Sequence, residues 1–138
     1  GKIIGIGGFV NISQNTKKVV FCGTLKAKGL RVKIEDESVK IEQEGGIRKF
    51  VRQVPEITFN GREAYLRGQE VLYLTERAVF RQGEKGLILT EIAPGVDLQR
   101  DILDQMDFAP EIAADLKVMD PRLFCQGQMG IREEFCRK

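Results

Sequence analysis

The stretch EVLYLTERAVFRQGEKGLILTEIA (70–93) decides the fold class. Val71, Leu72, Tyr73 and Leu74 lead into Ala78, Val79 and Phe80, and Leu87, Ile88 and Leu89 follow a polar break. Branched and aromatic residues in runs of strand length predict two extended segments, 70–80 and 86–93. The segment RQGEKG between them carries Gly83 and Gly86, which suits a hairpin loop.

More strands are predicted upstream. KKVVFCGTL (17–25) is apolar on both faces, as in a buried strand, with Phe21 and Cys22 in the core. VKIEDESVKIE (32–42) alternates, placing Val32, Ile34, Val39 and Ile41 on one face and a turn at Asp36-Glu37-Ser38. On the other face Lys33, Glu35, Lys40 and Glu42 are expected to pair across the strands. EITF (56–59) reads as a short strand ending in an Asn60-Gly61 hairpin turn.

Near residue 95 the period changes. Asp97 is suited to cap a helix whose apolar stripe is Leu98, Ile102 and Met106. Pro110 is suited to open a second helix carrying Ile112 and Leu116. Residues 122–138 read as a tail or a short helix. The expected fold is α/β, strand-rich in its first two thirds with helices towards the C-terminus, one unit over residues 1–138.

Composition excludes several function classes. The 138 residues are 42% hydrophobic and 30% charged, with no apolar run near the roughly 18 needed to cross a bilayer. Three cysteines without CxxC spacing point to a reducing cytoplasm. With no histidine, Ser-His and Cys-His dyads and His-bearing metal sites are absent, and no metal is expected. Glu76 interrupts an apolar run and reads as a paired structural carboxylate, with Arg77 a candidate partner.

The net charge of +2 hides an asymmetry. Residues 1–34 hold Lys2, Lys17, Lys18, Lys26, Lys28, Arg31 and Lys33 with no acid, while the other 104 hold 15 basic and 20 acidic residues. Such a local basic region suits a small anionic ligand. Only Phe9 and Phe21 could supply stacking aromatics there, so nucleic acid is not the expected partner.

The basic region opens with KIIGIGGFV (2–10), read as a strand, Lys2–Ile6, entering a loop at Gly7-Gly8. A dinucleotide fingerprint would need a third glycine where Val10 stands, and there is no GKS or GKT phosphate loop. What remains is a pair of residues without Cβ. Either their N–H groups lie open to a ligand or oxyanion, or the turn packs one strand closely on another.

GIGGFVNISQNTKKVVFCGTLKAKGL (5–30), with VLYLTERAVF (71–80), GLILTEIAPGVDLQRDILDQMDF (86–108) and DLKVMD (115–120), resembles the C-terminal part of family I coenzyme A transferases, the bacterial acetate or propionate type. The resemblance implies an open mixed-sheet domain and transfer of coenzyme A from an acyl-CoA to a short-chain carboxylic acid. It implies a glutamate nucleophile that forms a glutamyl-CoA thioester. The family's glutamate lies upstream of the GGF segment, and none precedes Gly7 here.

By the same resemblance, Gly7 and Gly8 lie against the thioester end of coenzyme A and Lys28 approaches the coenzyme; its ammonium is a suitable point charge for a phosphate. Asn11 stands where some relatives carry an acid, and Lys26 where a small residue is usual. The remaining partners implied are the N-terminal remainder of the enzyme and further copies of itself. The alternative is a non-catalytic module that binds coenzyme A or a nucleotide phosphate.

Overall fold

In the computed structural model, which describes residues 7–136, the stretch 70–93 forms three strands. Its run 70–80 bends back at Thr75. The Thr75 hydroxyl accepts from Ala78 N (2.9 Å) and donates to Ala78 O (2.9 Å), a reverse turn made without glycine or proline.

In chain order the elements are α1 (Phe9–Asn15), β1 (Lys18–Cys22), β2 (Lys26–Ala27), β3 (Arg31–Glu35), β4 (Ser38–Gln43) and β5 (Ile47–Arg48). They continue with α2 (Gly61–Leu66), β6 (Glu70–Leu74), β7 (Ala78–Gln82), β8 (Leu87–Ile92), β9 (Glu111–Val118) and α3 (Arg132–Cys136). One mixed sheet runs β1-β6-β7-β8-β9. β1 is parallel to β6 and β9 to β8, while β6-β7-β8 is an antiparallel meander. This is the expected strand-rich α/β fold. The proposed strand Lys2–Ile6 falls outside the described residues.

The β7–β8 loop forms as expected, with Gly83 N donating to Gly86 O at 2.8 Å. The 31–43 hairpin also forms. Asp36 and Glu37 take φ of +50° and +55°, the primed turn that matches strand twist. Its register sets Ile34 opposite Val39 and Val32 opposite Ile41, the predicted apolar face. The other face differs from expectation: Lys33 lies opposite Lys40, and its ion pair is with Glu35 on its own strand.

Three element predictions are corrected. Residues 56–59 are not a strand and Asn60-Gly61 is not a hairpin turn. Asn60 caps α2, its Oδ1 accepting from Glu63 N at 3.2 Å, because Asn followed three residues later by Glu is also a helix-start signal. Residues 111–118 form β9, not a helix; Ile112 and Leu116 are four apart, a spacing that fits both periods, and Pro suits the entry to an edge strand. The Asp97 cap is present, accepting from Arg100 N at 2.7 Å, but the helix is a π-helical turn, Leu98–Ile102, followed by a 3-10 turn.

The core lies on one side of the sheet, where Phe80, Leu89 and Ala78 meet Leu25, Val39, Ile102 and Met106. Arg77 is 0% exposed beneath them. Its guanidinium donates to Glu76 Oε1 (2.6 Å), Glu44 Oε1 (2.6 Å) and Asp101 O (2.9 Å). Burial draws the Arg77 pKa down, but the hydrogen bonds to Glu44 and Glu76 outweigh it and leave it above its ordinary value. Glu76 also accepts from Leu25 N at 2.8 Å, so it is the structural carboxylate expected.

Candidate functional site

The parallel pair β1 and β6 ends in register at Cys22 and Leu74, and Gly23 N extends the ladder to Leu74 O at 3.0 Å. Past these carboxyl ends lies a cavity of about 430 Å³. Phe21 to Thr24 line it from β1, Tyr73 to Thr75 from β6, and Lys49, Phe50, Val51 and Val54 from the segment after β5. Gln82, Leu87 and Phe108 complete the wall. Open α/β sheets bind ligands at the carboxyl ends of their strands.

Aromatic contacts organise this end of the sheet. Phe21 stacks on Tyr73 with ring centroids 5.3 Å apart and meets Phe59 edge-on at 5.2 Å. Phe9, the first residue of α1, reaches Phe21 at 6.0 Å. Gly8 precedes Phe9, so the glycine turn stands at the same end of β1 as the cavity. At the other end of α1, the Gln69 amide donates to Ser13 O (2.6 Å) and Thr16 O (2.8 Å), tying the helix to the start of β6. Burial raises the Tyr73 pKa, so the phenol is neutral at pH 7.

Gly7 and Gly8 are both exposed. Gly7 has φ +59°, and a Cβ built there meets nothing within 4 Å; one built on Gly8 meets only Ile12 Cδ1, at 3.6 Å. Among the described residues, then, no packing contact requires glycine at either position. Gly45 is the opposite case, since a Cβ there would stand 2.5 Å from Ala27 O.

Lys28 is exposed, in left-handed conformation (φ +64°), and its carbonyl accepts from Gly46 N at 2.8 Å. It makes no ion pair among the described residues. Lys26, by contrast, donates to Gln105 Oε1 at 2.9 Å. Asn11 is engaged within α1, accepting from Asn15 Nδ2 through Oδ1 at 3.1 Å. None of Gly7, Gly8 and Lys28 lines the cavity.

The cation that does line it is Lys49, which the sequence reading passed over. Its Nζ donates to Thr24 Oγ1 at 2.8 Å and lies 3.7 Å from where a Cβ on Gly23 would sit. Nothing in the local pattern around Lys49 marks it, since it comes from a loop 25 residues away from Thr24. Cys22 also corrects an expectation. Among the described residues β1 is an edge strand, and this thiol is exposed rather than buried in a core.

Among the described residues no helix is long and apolar enough to cross a membrane. No three His, Cys, Asp or Glu side chains are grouped there as metal ligands would be.

Comparison with known proteins gives the site its context. No protein-family model matches the chain. The acetate CoA-transferase YdiF of Escherichia coli K12 is 58% identical over 130 residues, covering 94% of this chain and 24% of that protein. The caffeate CoA-transferase of Acetobacterium woodii is 49% identical over 130 residues, 94% of this chain and 25% of that one. The crystal structure of the YdiF acyl-CoA transferase from E. coli O157:H7, in a thioester complex with CoA, superposes with a TM-score of 0.90. It is 57% identical, over 94% of this chain and 25% of that one. The chain thus spans about a quarter of the length of the relatives it matches.

Proposed function

We propose that this chain, a C-terminal part of a coenzyme A transferase, forms one wall of the coenzyme A site and leaves the attacking group to residues upstream. The observation that carries this reading is the close match to an enzyme solved as a CoA thioester. The exposed Gly7-Gly8 turn supports it, since it leaves backbone open at the carboxyl end of the sheet.

The chemistry is a CoA exchange in two covalent halves. A glutamate carboxylate from the N-terminal remainder attacks the thioester carbonyl of an acyl-CoA, and the CoA thiolate leaves, giving a mixed anhydride. The thiolate then attacks the glutamyl carbonyl, the short-chain carboxylate departs, and a glutamyl-CoA thioester remains. The acceptor acid reverses these steps. Each addition places negative charge on a carbonyl oxygen, and N–H groups of the Gly7-Gly8 turn are the donors assigned to it. Lys28 supplies a point charge for a CoA phosphate. The 138 residues alone, without that glutamate, are inactive. The whole enzyme is cytoplasmic and assembles from several copies.

The test is Gly8→Ala in the whole enzyme. Its Cβ meets only Ile12 Cδ1, so the melting temperature should hold, while the added methyl stands in the path of the ligand to the backbone N–H groups and lowers kcat/KM for transfer at least about tenfold. Transfer at the wild-type rate would overturn the assignment.

A further inference from the structure

We propose that the cavity beyond β1 and β6 receives the apolar tail of the carboxylic acid, and that Lys49 draws the acid's carboxylate to its mouth. The inference rests on the reading of this chain as a wall of a CoA-transferase site and names the acid that site prefers.

Position comes first. The cavity stands where the two parallel strands end, and Phe9, the residue after Gly8, meets Phe21 in its wall. A tail in the cavity therefore lies at the same end of the sheet as the glycine turn.

The lining is the second argument. Phe21, Phe50, Val51, Tyr73, Leu87 and Phe108 make an apolar and aromatic interior. Few polar groups interrupt it, the pattern of a small-molecule pocket. Among the described residues no Asp or Glu lines it, and Lys49 is its one charged group, held over Gly23 by the Thr24 hydroxyl. A single cation at the edge of an apolar pocket is complementary to one carboxylate bearing a hydrocarbon tail. Among the described residues Lys49 has no ion pair that would neutralise it.

Size is the third. At about 430 Å³ the space lies within the usual range of ligand pockets and far exceeds an acetyl group. The acids it fits best are monocarboxylic acids with a longer aliphatic chain or one aromatic ring, such as hexanoate or benzoate.

The experiment uses the whole enzyme with propanoyl-CoA as donor and acetate, butanoate, hexanoate and benzoate as acceptors. From acetate to hexanoate, kcat/KM should rise about fourfold per buried methylene. Val54 stands at the cavity, 52% exposed within these 138 residues, and Val54→Trp adds bulk there, with its melting temperature checked against that of the wild type. That variant should cut the hexanoate-to-acetate ratio at least tenfold. Lys49→Gln should raise KM for the acids at least tenfold with KM for propanoyl-CoA unmoved, and Lys49→Arg should restore it. An enzyme that transfers CoA but keeps its acid ratios within twofold in Val54→Trp, or its acid KM in Lys49→Gln, overturns this inference alone. Failure of the wild-type enzyme to transfer CoA to any acid would overturn the functional reading beneath it as well.

Discussion

Replacing Arg77 by Met keeps much of the side chain's reach but removes the charge that three elements share. The guanidinium is fully buried and donates to Glu76 and Glu44 at 2.6 Å each and to Asp101 O at 2.9 Å. Removing one partner of a buried ion pair costs about 3–5 kcal/mol, chiefly because the other charge is left without compensation. Here the side chains of Glu76 and Glu44 are 17% and 31% exposed, so both carboxylates regain some hydration. That places the loss at the lower end, about 3 kcal/mol, or a fall of roughly 10 °C in Tm for a domain of this size. Urea unfolding at pH 7, followed by circular dichroism, measures it, with the m-value unchanged. Glu44→Gln, on the wetter side of the cluster, should cost less, about 1 kcal/mol. An Arg77→Met loss below about 1 kcal/mol would refute the argument that this cluster holds the Thr75 turn and, through Glu76, the Leu25 backbone.

Two further outcomes follow from caps and titration. Asn60→Ala removes the α2 cap and should cost about 1 kcal/mol, read from the same urea curves; no measurable change would mean that the side chain contributes nothing there. Asp101 is held below its ordinary value of 3.8, first by hydrogen bonds from Arg100, against burial, and with help from Asp97 N. Because the folded pKa lies below the unfolded one, this carboxylate adds stability above the unfolded value and loses it as pH falls through the folded value. The gap between wild type and Asp101→Asn should therefore be full at pH 6 and close as pH drops below 3.8; a gap that does not vary with pH would contradict it.

The strands were legible wherever branched residues alternate or run together, as in 32–42 and 70–93. Where a pattern fits two structures, tertiary packing decides. Ile112 and Leu116 satisfy a helix and a strand alike, and pairing with β8 makes 111–118 an edge strand. Asn60-Gly61 carries both a hairpin and a cap signal, and Glu63 three residues later selects the cap. The Thr75 turn was hidden because a hydroxyl, not a glycine, makes it.

The candidate site divides in the same way. Gly7-Gly8 stands out locally, since two adjacent residues without Cβ are visible in any sequence. Lys49 becomes visible only when the fold brings the segment after β5 over Gly23 and Thr24. The two basic residues flanking Ala27 differ in space: Lys26 is bound to Gln105, while Lys28 makes no ion pair among the described residues.

We propose that the reacting carboxylate lies upstream of Gly1, with these 138 residues as the opposite wall. Incubating the whole enzyme with acyl-CoA, trapping the thioester with borohydride or hydroxylamine, and mapping the modified peptide by mass spectrometry addresses that placement directly. A single modified glutamate outside residues 1–138 is predicted. A stoichiometric label on any glutamate within them would contradict it.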